Sequence, residues 1–121
     1  MIVGIGVDVV DLARFERALD RTPALRARLF SDTEQRQGDR VLALRSLAGR
    51  FAAKEALIKA LGESTGVRWH DMQVVSGADG NPSFQLAGAA AEIAEQRGVS
   101  AVHLSMSHDG GIAIAYVVVE S

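Results

Sequence analysis

The chain has 121 residues and no cysteine, which fits one domain and excludes disulfides, thiolate metal sites and cysteine nucleophiles. Its formal net charge of −2 gives no global basic field for nucleic acid. No apolar run approaches the roughly 20 residues that cross a bilayer, so a soluble, cytoplasmic protein with no membrane or nucleic-acid partner is expected.

Residues 2–10, IVGIGVDVV, are rich in β-branched side chains and predict a strand. Asp8 and the absence of a basic stretch argue against a signal peptide. Alternation puts Val3, Ile5, Val7 and Val9 on one face, read as the core face. Gly4, Gly6 and Asp8 share the other. Either a helix packs tightly over the two glycines, or they clear a floor that ends in a carboxylate.

Asp11 is placed to cap a helix that buries Leu12, Phe15 and Leu19, and Pro23 interrupts it. Residues 23–40 predict a short helix, a loop capped by Ser31 or Asp32, and a second short helix. A long helical pattern covers about 41–61 and stops at Gly62. A loop follows, then a hairpin over 72–86 with its turn at Asp79-Gly80-Asn81-Pro82. An Ala-rich helix ends at Gly98, and a second hairpin turns at Asp109-Gly110-Gly111. The order implies an α+β fold, a small and largely antiparallel sheet packed with a long central helix.

That helix poses the functional question. Around Phe51 and Ile58, small or aliphatic residues fill most of the helical circle, as in a buried helix. Yet it carries Arg50, Lys54, Glu55 and Lys59. One reading is an ordinary i,i+4 ion pair between Glu55 and Lys59. The other is the wall of a polar pocket. Arg50, Lys54 and Lys59 would hold phosphates, and Glu55 would hold a hard cation or take a proton. Asp8 and Glu55 are two carboxylates on regular elements, a donor set suited to Mg²⁺ completed by water and phosphate oxygens. His70, His103 and His108 lack zinc-site spacing. His108 reads as a turn residue, with a phosphate or hydroxyl contact left open. Ser107 and Asp109 do not make it a triad, because adjacent strand residues face opposite ways.

Three segments, GIGVDVVDLARFERAL, RFAAKEALIKALG and SMSHDGGIAIAYVV, in that order, closely resemble the holo-acyl-carrier-protein synthases, the short type of 4′-phosphopantetheinyl transferase. DGNPSFQL resembles the family's G-x-P hairpin, so the likeness covers essentially the whole chain. The resemblance implies transfer of the 4′-phosphopantetheine arm of coenzyme A to a serine of apo acyl carrier protein. Adenosine 3′,5′-bisphosphate leaves, and the product serves fatty acid biosynthesis. It implies that Asp8 and Glu55 bind Mg²⁺ and that Lys59 lies near the pyrophosphate. It further implies that Arg50, His108 and, more weakly, Lys54 touch coenzyme A, with Gly80 and Pro82 against the nucleotide. The base is either Glu55 or a water oriented by it. The family's homotrimer would place each active site between subunits, with Asp8 and Glu55 from one and His108 from its neighbour.

Arg14, Arg17 and Arg21 form one helical stripe. The stripe is either a solvated helix face or, because the family's carrier proteins are acidic helical bundles, a surface on which Arg14 and Arg21 dock the carrier, and docking is the expectation. Two other readings are a non-catalytic coenzyme A- or nucleotide-binding module and a structural trimer whose central charges are buried ion pairs.

Overall fold

In a computed structural model describing residues 1–121, strand β1 spans Ile2–Asp11 and passes directly into helix α1, Leu12–Arg21. Asp11 makes that junction. It has extended backbone angles, and its Oδ1 accepts the Arg14 N–H at 2.9 Å. As expected, α1 buries Phe15 and Leu19. A short helix α2, Leu25–Leu29, follows, then a 3₁₀ turn at Thr33–Gln35.

The expected second short helix is reduced to this single 3₁₀ turn. Arg36–Gln37 (β2) and Arg40–Val41 (β3) form a small antiparallel hairpin instead. Gly38 takes φ +63° at its turn, a conformation that suits glycine and ends helical propagation. Of the two cap candidates, Ser31 is the one used. Its Oγ accepts the Glu34 N–H while a Glu34 carboxylate oxygen accepts the Ser31 N–H, a reciprocal capping box.

Helix α3, Leu44–Leu61, ends at Gly62 with φ +76°. Eleven of its eighteen residues are buried, so it has little wet face. Then come β4 (Met72–Ser76) and β5 (Pro82–Leu86) as a hairpin, α4 (Gly88–Gln96), and β6 (Ala101–Asp109) with β7 (Ile112–Glu120) as a second hairpin. The main sheet has the order β1-β7-β6, antiparallel throughout.

α3 lies across β1 and β7, and β1 meets it in the opposite sense to the sequence expectation. A Cβ at Gly4 would collide with the carbonyl oxygen of Ala60, and one at Gly6 with that of Ala56. The glycine face is therefore the covered one, because only there can helix and strand backbones approach so closely. Val3, Ile5, Val7 and Val9 point outward, 39%, 64%, 39% and 53% exposed. Tyr116, paired with Val7 across the strands, is 49% exposed on the same outer surface. The sheet thus buries one face under α3 and leaves a contiguous apolar face bare.

Candidate functional site

The packing of α3 over the glycines determines where Asp8 emerges. Asp8 follows Gly6 on the same face of β1, opposite Ala115 of β7, just beyond the closest helix–strand contact. Glu55, on α3, lines the same cleft. The two acids read as partners from sequence do converge. Burial raises the Glu55 pKa first, and the nearby Asp8 charge raises it further, with Lys59 opposing. Lys59 does not pair with Glu55 as a simple helical ion pair. Its Nζ donates to the Val7 carbonyl at 2.9 Å and to Asp8 Oδ1 at 3.2 Å. An ammonium has three N–H donors, so one remains.

The cleft floor is aromatic. Phe15 of α1 stacks on Phe51 of α3 with centroids 5.4 Å apart, and Phe51 contacts Trp69 at 5.6 Å. Arg14, exposed on α1, stands at the rim. Arg17 and Arg21 continue along the exposed side of α1.

A second cleft opens where α3, the β2–β3 hairpin, β4 and β6 meet. Arg45, Ser46, Arg50, Ser76, Ser107 and His108 line it, and it shares no residue with the first. It contains two guanidiniums, an imidazole and three hydroxyls but no carboxylate, a set suited to an anion. Arg50 is only 6% exposed. Its Nη1 donates to the carbonyls of Glu34 and Val74, each at 2.8 Å. Burial lowers its pKa, and Glu34 offsets this in part. Arg45, on α3 with Arg50, and Ser76, brought in by the packing of β4, were not singled out from sequence.

Lys54 requires a correction. It was expected to face phosphate, but its side chain is fully buried. Nζ donates to the Leu29 carbonyl at 2.7 Å, Glu34 Oε1 at 2.8 Å and the Trp69 carbonyl at 3.0 Å. All three donors are occupied, so no ligand can reach it. Its partner, Glu34, also escaped sequence reasoning, although the Ser31-x-x-Glu34 spacing carries a capping-box signal. Gly80 and Pro82 sit at and after the β4–β5 turn, where Gly80 has φ +83°. Neither lines either cleft. Ser76, paired with Pro82, is the residue of that hairpin that does.

No group of three or more His, Asp or Glu side chains is arranged to hold a metal by itself. The donor set available to a cation is the Asp8–Glu55 pair. No helix is long and apolar enough to cross a membrane.

The profile of the 4′-phosphopantetheinyl transferase superfamily matches residues 4–117. The chain belongs to that superfamily. A holo-[acyl-carrier-protein] synthase of Leifsonia xyli subsp. xyli is 61% identical over 120 residues, covering 99% of this chain and 98% of the relative. The crystal structure of holo-[acyl-carrier-protein] synthase from Neisseria meningitidis superposes with a TM-score of 0.90 at 34% identity, covering both chains fully. The Helicobacter pylori holo-[acyl-carrier-protein] synthase, solved in complex with coenzyme A, superposes at 0.81 with 32% identity, over 96% of this chain and 99% of that one. Within the superfamily the chain falls among the holo-[acyl-carrier-protein] synthases, the enzyme class expected from its three motifs.

Proposed function

We propose that this protein transfers the 4′-phosphopantetheine group of coenzyme A to a serine of an apo acyl carrier protein, supporting fatty acid biosynthesis. The observation that carries this reading is the convergence of Asp8, Glu55 and Lys59 at the end of the glycine-packed strand. The relatives' shared name and the coenzyme A complex of one of them support it.

The carboxylate pair fits Mg²⁺. Burial, and after it the neighbouring Asp8 charge, disfavour the ionised Glu55 carboxylate, and a divalent cation between the two acids offsets both. When bound, the ion neutralises charge on the diphosphate bridge. The protein's own groups do the rest. Lys59, anchored by Val7 and Asp8, keeps one N–H for a diphosphate oxygen. Arg50 and His108 hold the nucleotide end. The carrier's serine oxygen forms a bond to the phosphorus that bears the pantetheine arm. The bond from that phosphorus to the bisphosphate oxygen breaks, and the bisphosphate leaves with the electron pair. Glu55, or a water it orients, takes the serine proton.

Because the acidic cleft and the Arg50–His108 cleft are separate within one chain, a complete site is best built between copies. The bare apolar face of β1 and β7 fits a second copy, and repetition of one such contact closes a homotrimer. Light scattering that gives a monomer would overturn the trimer. The reaction is tested by incubating the protein with coenzyme A, Mg²⁺ and an apo carrier and weighing the carrier. An unchanged carrier mass with the fold intact would favour a non-catalytic coenzyme A-binding module.

A further inference from the structure

Glu34 is a buried acid that the chemistry above leaves unused. Its Oε1 accepts from Lys54 Nζ at 2.8 Å and from the Ser31 N–H at 3.1 Å, and its Oε2 accepts from the Val74 N–H at 3.0 Å. Glu34 and Lys54 are both fully buried and no buried side-chain polar atom lacks a partner. Two carbonyls grip Arg50 Nη1 from behind. One is the carbonyl of Glu34. The other belongs to Val74, the residue whose N–H the Glu34 carboxylate holds. Glu34 therefore fixes both jaws of the grip. Nη1 is saturated by them, and Nη2 lies 3.4 Å from Ser76 Oγ. The remaining guanidinium donors are left for the cleft that Arg50 lines with Arg45 and His108.

A buried ion pair is a costly way to gain stability, since apolar residues of similar volume often serve as well. A fully satisfied polar network does give a unique geometry. We propose that Glu34, held by Lys54, is a positioning residue that sets the orientation in which Arg50 meets a phosphate of coenzyme A. This rests on the assignment of Arg50 to coenzyme A made above.

The test compares Glu34→Gln, Glu34→Gln/Lys54→Met and Arg50→Met with the unaltered protein, using Ile93→Ala in α4 as a destabilised control. Lys54 and the Val74 N–H bond different oxygens of Glu34, and glutamine puts an N–H₂ donor in place of one of them, so one of the two donors loses its acceptor. The double variant removes both charges at nearly constant volume and so keeps a folded test if the single variant fails to fold. The expected result for the Glu34 variants is a coenzyme A KM raised about tenfold, with kcat and the carrier KM within about twofold. Ile93→Ala should lower Tm without moving the coenzyme A KM. Glu34 variants that fold and behave like Ile93→Ala would overturn the positioning role. If Arg50→Met raises the coenzyme A KM and they do not, only the positioning role falls. If Arg50→Met leaves that KM unchanged, the assignment of Arg50 falls and the positioning role falls with it.

Discussion

Lys54 and Glu55 are neighbours on α3, yet they meet opposite environments. Lys54 is enclosed and paired with Glu34, and its donors are used up by three acceptors. Glu55 is half-buried beside a second carboxylate, with Lys59 bonded to Asp8 rather than to it. The first environment is closed electrostatically and has no charge left over to attract a ligand. The second has more negative charge than its own cation balances, so it retains affinity for something positive. Charge on a buried helix is therefore a poor guide to function by itself. What separates the two cases is whether the protein satisfies the charge internally.

The comparison breaks most directly at Lys54. Lys54→Met leaves the Glu34 carboxylate buried without its cation. The expected loss is about 3–5 kcal/mol of folding free energy, read by denaturant titration. A loss below about 1 kcal/mol would mean that the pair is not a closed network. Asp8→Ala should do the reverse. Its only side-chain partner is the exposed Lys59, so Tm should stay within about 2 °C. Carrier modification should fall at least about 100-fold, as it should in EDTA. A large Tm loss with activity preserved would return Asp8 to a structural role.

The distinction between these two residues was only partly legible in the sequence. Helical periodicity correctly marked α3 as buried and marked its four charges as anomalous. It could not tell Lys54 from Lys59, because each partner comes from a distant segment: Glu34 through the 3₁₀ turn, and Asp8 through β1. In β1, strict alternation separated two faces, but it carries no information about which face a helix covers. The apolar face looked like core. The close backbone approach that glycine permits decided the matter the other way. The acid pair was legible because Asp8 and Glu55 lie on regular elements within recognisable motifs. Ser76 was not, since it meets Arg50 and His108 only where the β4–β5 hairpin folds against α3, and Arg45, although on α3 with Arg50, lies outside the motif that marks that helix.

The arginine stripe sharpens the contrast at the rim of the open site. Arg14 lines the acidic cleft, and Arg21 lies two helical turns further along an exposed face. If they receive an acidic carrier, Arg14→Glu/Arg21→Glu should raise the carrier KM by about tenfold and leave the coenzyme A KM nearly unchanged. The penalty should shrink as salt rises. Equal losses for both substrates would remove the docking role.

The smallest expected effect is the most specific. Glu55 has a folded-state pKa above its unfolded value, through burial and through Asp8. Below the unfolded carboxylate pKa the residue is protonated in both states and costs nothing. As pH rises through the folded pKa, the native state must carry the unfavourable charge, so stability is lost. Without divalent cations, Glu55→Gln should therefore be slightly more stable than the unaltered protein at neutral pH, by less than about 1 kcal/mol because the cleft is open to water. The difference should close as pH falls into the carboxylate range. Added Mg²⁺ should stabilise the unaltered protein more than the variant, because binding relieves a repulsion that the variant lacks. Thermal unfolding in EDTA and in Mg²⁺ across that pH range reads both trends. A Glu55→Gln protein that is less stable in EDTA at neutral pH would mean that Glu55, like Lys54, is already satisfied by the chain itself.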